Sequence, residues 1–473
     1  MADIHPALER YRGIVDDWPA FAEAMTRPLR AALWANPQRV TRDGLVELLA
    51  EAGLDPEPLS GLPGAVRLGE GVRPGGGWWY LAGLAHAQEV ASQVPVHLLD
   101  PRPGERILDL CAAPGGKTSQ IAFALGNRGT VVANDLSGGR LRALRGNLDR
   151  LGLVNVSVTR GDGGNLPRGV GVFDRVLVDA PCSGEGTLRR NAPPPVELGV
   201  DYSNSLARRQ RTLLRKAVQR TRPGGRIVYS TCTFAPEENE LVVEAILQEF
   251  GGEVVLVPAV LPPEWVSAPG LTDWEGRVLD PSLARCLRLW PHHNDTGGFF
   301  IAVLEKRGGR TEAVDEFGLV TPEPDPAWQQ ALVDRFGIPR GLWEAYTAHR
   351  TSRRGLNLVP ADHRPPREPR PEASGLFFFR TEALPPKLTT DGAMLLGRHA
   401  TRNRVELSPD QLEDYLARRD VALSVRARAD AVRGYVLVAY RGHTLGVGKL
   451  HDGGTLESLF PKRTSGRAEL EGG

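Results

Sequence analysis

Cysteine is scarce in this chain: four residues in 473, at positions 111, 182, 232 and 286, with no CxxC pair among them. So few, so scattered, cannot form the disulfide framework of a secreted domain, and no metal site is expected. Long apolar runs are missing too. No stretch approaches the roughly twenty apolar residues that span a bilayer, and the N-terminus, MADIHPALERYRG, has no signal-peptide core. A cytoplasmic protein without a membrane partner is expected. Charge of one sign is not in excess, since 58 Lys and Arg against 57 Asp and Glu leave a formal net charge of +1. Any nucleic-acid surface must then be a local patch rather than a global field. Internal repeats of useful length are absent, as are the phosphate-binding fingerprints GxxxxGK[ST] and GxGxxG. What remains, 41% hydrophobic and 24% charged, suits roughly two to four domains with ample core.

What is present is concentrated in two segments about fifty residues apart, DAPCSGEG around Cys182 and YSTCTFAPEENE around Cys232. Each cysteine follows an apolar run that reads as a buried parallel strand: Val176, Leu177 and Val178 before one, Ile227, Val228 and Tyr229 before the other. In open α/β sheets, ligands sit at the carboxyl ends of strands, so both thiols would line one crevice.

Four regions follow from the patterning. Residues 1–100 mix short helical patterns with Gly and Pro and read as a small α/β accessory domain that binds RNA. Residues 101–307 alternate apolar runs with amphipathic segments, the pattern of a mostly parallel sheet covered on both faces, with strands expected at 106–110, 130–134, 156–160, 175–179, 226–230, 253–258 and 299–305. Residues 308–375, rich in Pro, Arg and Glu as in VPADHRPPREPRPEAS, read as a linker segment. Residues 376–473 read as a compact β-rich domain.

DLCAAPGGKT, residues 109–118, joins the first core strand to a helix through small residues, and Gly115 and Gly116 allow a ligand to approach the backbone closely. Asp135 and Asp162 close the next two strands. Singly, each Asp is more often a cap or turn residue; at successive strand ends beside such a loop, they point to a nucleoside-containing cofactor. The chemistry half is a pair of thiols beside a carboxylate. Alkylating C5 of a cytosine requires electrons in the ring, and a thiolate adding to C6 puts them there. Asp179 is placed to bind the N3/N4 edge of the base. A thiol with a pKa near 8.5 is mostly protonated at neutral pH, and Lys117 is the nearest cation by motif to help ionise it. Cys111 and Cys286 read as small buried hydrophobes. The residues alone do not say which of Cys182 and Cys232 attacks.

These segments resemble the Nol/Nop/Sun family of S-adenosylmethionine-dependent RNA cytosine-C5 methyltransferases over roughly residues 30 to 307. DLCAAPGGKT is similar to the family's cofactor loop, VVANDLSGGRLRALRGNLDRLG to its ribose-binding strand and helix, VDAPCSGEG to its substrate motif and YSTCTFAPEENE to its nucleophile motif. RLWPHHNDTGGFFIAVLEK resembles its closing hairpin; upstream, Asn36, Gln88, Glu89 and Gln93 resemble N-terminal elements, although ALWANPQRVT departs from the usual RVNxLK. The resemblance implies a seven-stranded Rossmann-like class I methyltransferase core, with Cys232 as nucleophile and Cys182 assisting product release. It implies S-adenosyl-L-methionine as cofactor, with its amino-acid part in the loop Cys111, Ala112, Ala113, Pro114, Gly115, Gly116 and Lys117. Asp135, with Arg140 in the same segment, would serve the ribose, Asp162 the adenine, and Asp179 the substrate or cofactor.

The C-terminal LLGRHATRNRVELSPD and YVLVAYRGHTLGVGKLHDGGTLESLFPKR resemble the PUA-like tail of the bacterial RsmF type, implying 16S ribosomal RNA or the small ribosomal subunit as partner, with no DNA. Transfer RNA, or a non-catalytic role in ribosome assembly, are the competing readings. For RNA contacts the candidates are Arg189 and Arg190, the eight Lys and Arg of residues 203–226, and the cluster Trp78, Trp79 and Tyr80. A charge run is as often only a solvated helix face, and the aromatic cluster is as well suited to packing between domains.

Overall fold

The computed structural model describes residues 4–190, 198–309, 317–383 and 385–462. β1 (Arg106–Asp109), β2 (Thr130–Asp135), β3 (Val156–Arg160), β4 (Phe173–Asp179) and β5 (Thr221–Thr231) lie parallel in the order β3-β2-β1-β4-β5. β6 (Val254–Leu256) and β7 (Phe299–Lys306) complete the set: β7 runs antiparallel to β5, and β6 pairs with the second half of β7. All seven expected strands are present. β6 is shorter than expected because Pro258 has no N–H to extend the ladder. Short edge strands at Ala268–Pro269, Leu287–Leu289 and Ala373–Ser374 widen the sheet to ten.

The sequence accounts for the layering. All six residues of β2 are buried, as a strand covered on both faces requires. The helices α1 (Val90–Leu99), α2 (Gly116–Ala124), α3 (Gly138–Leu151), α4 (Val200–Arg220) and α5 (Glu240–Phe250) supply the covers. In α3, Leu141, Leu144, Leu148 and Leu151 recur every three or four residues and are the buried ones. Ser137 caps its N-terminus, and Gly152, at φ 77°, ends it in a left-handed turn. The strand order reverses direction at β1, so a crevice opens over the carboxyl ends of β1 and β4.

The first hundred residues divide three ways. Pro6–Tyr11 and Trp18–Thr26 form a small apolar cluster, Leu8, Tyr11, Val15 and Phe21, with Phe234 and Trp290 of the core. A four-stranded sheet follows, Glu57–Pro58, Ala65–Arg67, Ala32–Ala35 and Ala85–Ala87 in spatial order. Helix α1 then packs on α2 and on β5. Asn36, fully buried, donates to the carbonyls of Gly83 and Leu151 at 2.8 and 3.0 Å, fastening the small sheet to the end of α3.

The expected linker at 308–375 is folded where it is described. Tyr346–Ser352 and Gly355–Pro360 pair antiparallel, and Gly355–Pro360 pairs in turn with Leu376–Arg380, so one sheet crosses the expected boundary at 375. The Pro-rich stretch behind them is a strap along the core sheet. His363, buried, meets Ser157 at 2.8 Å; the Glu372 and Gly375 amides donate to Val158 and Val156; and Ala373–Ser374 pairs with β3. Proline removes amide donors and restricts the backbone but does not prevent packing, so a Pro-rich composition was a poor guide here. Beyond it, Arg404–Glu406, Gly434–Tyr440, His443–Leu450, Thr455–Ser458 and Val421–Ala422 form a five-stranded sheet. Among the described residues no helix is long and apolar enough to cross a membrane.

Candidate active site

Asp179 and Ser230 are register partners at the ends of β4 and β5. Cys182 lies three residues beyond the first and Cys232 two beyond the second, so two loops leave the sheet side by side. Their sulfurs are 3.2 Å apart, and the Cys232 N–H donates to the Cys182 sulfur at 3.3 Å. All four cysteines are thiols. Hydrogen bonding to Cys232 and then burial push the Cys182 thiol well above its ordinary range, so it holds its proton.

A pair of buried carboxylates holds these loops together. Glu185, 2% exposed, accepts from the Thr233 hydroxyl at 2.9 Å, from the Phe234 amide at 3.2 Å and from the Tyr11 hydroxyl at 2.8 Å. Glu238 accepts from the Ser183 amide at 3.1 Å and from Gln210 at 2.8 Å, and Gln210 also donates to the carbonyl of Pro181. The Ser183 and Thr233 hydroxyls meet at 2.7 Å. Burial raises both carboxyls above their ordinary values. Neither carboxylate was singled out from the sequence, although Glu185 and Glu238 lie inside the quoted motifs. Tyr11 carried no signal at all. A further clasp joins the N-terminal segment to the hairpin before β7, where His292 and His293 both bind Asp16, at 3.0 and 2.8 Å.

The cofactor half is more local. After β1 the chain turns through 110–115, and Gly115, at φ 107°, starts α2 in a conformation that a side chain would strain. The Asp135 carboxylate accepts from the Ala113 amide at 3.2 Å and from the Ser137 amide at 2.9 Å. Arg140 pairs with Asp135 at 3.4 Å and donates to the Ala113 carbonyl, bracing the loop from outside. Beside the loop lies a cavity of about 220 Å³ lined by Cys111, Ala112, Ala113, Pro114, Gly116, Lys117, Arg140 and Asp179, and by Cys232 from the thiol half. Asp109, also in its wall, accepts from Thr118 at 2.7 Å, while its other oxygen is buried with no partner among the described residues. Burial lifts this carboxyl to about 7. An orphaned carboxylate oxygen in a wall of main-chain amides and small residues fits the ammonium and carboxylate of an amino-acid-bearing cofactor.

Several expected residues stand elsewhere. Lys117 was expected to help ionise a thiol; instead its ammonium binds the Asp179 carboxylate and the Ser92 hydroxyl, both at 2.7 Å. The β4 carboxylate is the stronger partner for it, and Ser230 completes the set by donating to Asp179 at 2.9 Å. Asp162 is exposed and outside the cavity wall, its side chain capping the turn at Gly164. Asp135, Gly115 and Cys182 do not line the cavity. Arg189, expected to face RNA, is 2% exposed and bound to Asp295 and to the carbonyls of Arg27 and Thr296. The side chain of Arg190 lies outside the described residues. In the basic run, Arg215 and Arg222 are paired with Glu249 and Asp174, whereas Arg208 and Arg209 are exposed. Trp78 packs edge-on against Tyr440, 5.0 Å between centroids, and Trp79 is buried between the small sheet and the C-terminal sheet. Cys286 is buried, as expected, and Cys111 half-buried.

The chain has known relatives. Residues 96–305 match the family described as 16S rRNA methyltransferase RsmB/F, and residues 402–464 match the methyltransferase RsmF PUA domain. The chain is 31% identical over 457 residues to a ribosomal RNA small subunit methyltransferase F of Aeromonas hydrophila, covering 91% of this chain and 90% of that one. The chain belongs to the RsmB/F methyltransferase family. Family relatives extend beyond bacterial proteins of equal length. A tRNA (cytosine(49)-C(5))-methyltransferase of Pyrococcus abyssi is 37% identical over 302 residues, 63% of this chain and 95% of that one. The chain spans about a third of the mouse 28S rRNA (cytosine-C(5))-methyltransferase it matches, at 38% identity over 294 residues, 60% of this chain and 36% of that one. Among solved structures, a methyltransferase homologue from Pyrococcus horikoshii superposes with a TM-score of 0.56 at 34% identity, over 63% of this chain and 93% of that one. The RsmB/F core is thus the class I methyltransferase fold, and the C-terminal sheet is PUA-like.

Proposed function

We propose that this chain methylates C5 of cytosine in RNA, with small-subunit ribosomal RNA as substrate and S-adenosyl-L-methionine as methyl source. The observation that carries the reading is the thiol pair, 3.2 Å apart, with Cys232 bordering a cavity that also holds the glycine-rich loop and Asp179. When bound, the cofactor supplies an electrophilic methyl group. Ala112, Ala113, Gly116 and the Asp109 carboxylate would hold its amino-acid part, and Asp135, braced by Arg140, its ribose. Asp162, two residues beyond β3 and outside the cavity wall, would bind its adenine.

In this reading the Cys232 sulfur forms a bond to C6 of the cytosine, and the ring electrons move to C5, which becomes nucleophilic. Asp179, fixed by Lys117 and Ser230, binds the N3/N4 edge and stabilises the charge that addition places on the ring. After methylation the C5 proton leaves, the C6–sulfur bond breaks and Cys232 regains its electron pair. Cys182, held protonated against Cys232, assists this release. The target base must be unpaired or flipped, because C6 inside a helix is out of reach of a thiolate.

A match that continues through the C-terminal domain to small-subunit methyltransferase F favours ribosomal RNA over transfer RNA. The archaeal relative named for tRNA keeps the second substrate in view. Incubation with labelled S-adenosylmethionine and small-subunit RNA, intact small subunits or tRNA, followed by mapping of 5-methylcytosine, tests both. Label in small-subunit RNA supports the reading, label confined to tRNA replaces the substrate, and no label in any RNA sinks the enzyme reading.

A further inference from the structure

The contact between Cys182 and Cys232 permits a second chemistry besides the proposed catalytic cycle. The two sulfurs touch at 3.2 Å, on loops springing from neighbouring strands, just beyond the register partners Asp179 and Ser230. A disulfide bond is about 2.05 Å long, so closing one here requires the sulfurs to approach by roughly 1 Å, within the reach of side-chain rotation. Both are half-buried, but Cys232 lines the cavity and Cys182 does not, its thiol kept protonated. Among the described residues neither of the other two thiols has a sulfur within contact: Cys286 is buried, and Cys111, in the wall of the same cavity, packs against the core.

We infer that Cys182 and Cys232 are a modification site for hydroperoxides, in which Cys232 is oxidised and Cys182 closes a reversible disulfide. The Cys232 thiolate attacks one peroxide oxygen, the O–O bond breaks, and water and a sulfenic acid result. The Cys182 sulfur then attacks the sulfenic sulfur, the S–O bond breaks, and a second water leaves as the S–S bond forms. The two thiols lose two electrons and two protons together, and the peroxide gains them. A thiol reductant reverses the change. The site thereby protects its cavity-lining cysteine from irreversible over-oxidation and, on the proposed reading, holds methyl transfer off while oxidised.

The test is hydrogen peroxide on the purified full-length chain, read by thiol count and intact mass. Wild-type protein should fall from four thiols to two with a mass loss of about 2 Da, a non-reducing peptide map should join residue 182 to residue 232, and dithiothreitol should restore all four. Cys182→Ala should instead give a sulfenic acid that dimedone traps and that proceeds to products dithiothreitol does not reverse. Persistence of four thiols, a link through Cys111 or Cys286, or equal recovery of the Cys182→Ala variant would overturn the inference. None of these readouts requires methyl transfer, so a chain inactive on every RNA but forming the link separates failure of the proposed function from failure of this site. Loss of methyl transfer on oxidation, regained on reduction, is expected in addition.

Discussion

The two halves of the site are built in opposite ways. The proposed cofactor half is largely local: Asp109, the loop through Gly115, Thr118 and the start of α2 lie within ten consecutive residues, and Asn134, Asp135, Arg140 and Asn147 brace it from the next strand and helix. The thiol half is assembled from afar. Glu185 takes hydrogen bonds from Thr233 and Phe234, 48 and 49 residues later, and from Tyr11, 174 residues earlier. A loop that binds through its own backbone needs only glycines and a strand end. Two thiols held in contact need buried polar struts, because either loop alone would let its cysteine swing away.

Breaking the thiol half at its chemistry has the largest expected effect. Cys232→Ala should lower methyl transfer by about 10⁴-fold or more, as losses of covalent nucleophiles do, while leaving the unfolding midpoint near that of wild type. Cys182→Ala should instead trap protein on RNA as an adduct visible in denaturing gels. Robust transfer by the Cys232 variant, or adduct from it rather than from Cys182→Ala, would invert the assignment.

Breaking the struts comes next. Glu185→Ala strands the Tyr11 and Thr233 hydroxyls and the Phe234 amide in a buried place, and should destabilise by about 3–5 kcal/mol. Glu185→Gln, which keeps an acceptor oxygen, should cost less. Denaturant midpoints measure both; equal, small losses would mean water already serves these donors.

The cofactor half has its own liability, one of charge rather than of distance. Asp109 is held near pH 7 against an ordinary value of 3.8, and burial is the main cause. Between about pH 4 and 7 the folded chain keeps a proton there that the unfolded chain has released, so this group's contribution to stability falls as pH rises through that window, by up to about 1.4 kcal/mol per pH unit. Stability should therefore decline more steeply with pH in wild type than in Asp109→Asn. Parallel declines would show that the carboxyl is solvated or ionised at low pH.

The same contrast decides what the sequence reveals. Strand positions, the glycine-rich loop and both cysteines follow from contiguous patterns: apolar runs ending in Asp179 or Thr231, glycines at 115 and 116. Glu185 and Glu238 were within view but carried no mark of their partners, since hydrogen bonds across fifty residues leave no period in the chain. Lys117 was identified as a site residue with the wrong partner, because a motif gives a cation's neighbourhood and not the carboxylate it selects. Composition misled at 308–375, where prolines that read as a linker form a strap on β3. Arg189 was likewise read as an RNA contact, and only the fold surrounds it with Asp295 and two carbonyls.

The smallest effect is the sharpest probe of the comparison, because it reaches the thiol half through Glu185 alone and the cofactor loop not at all. Tyr11 stands on the N-terminal segment, outside both motifs, and gives its hydroxyl to Glu185 from within the cluster of Leu8, Phe21, Phe234 and Trp290. Tyr11→Phe removes one hydrogen bond to a charged acceptor and keeps the ring packed, so about 1–2 kcal/mol of stability should go. If the segment only covers the core, methyl transfer by the folded variant should match wild type. If Tyr11 helps hold the thiol loops in register, the folded variant should retain cofactor affinity yet form the Cys232 adduct more slowly, and restoring the hydroxyl should restore the rate. Cofactor titration beside single-turnover adduct formation distinguishes the two outcomes, because only the second places residue 11 on the thiol half.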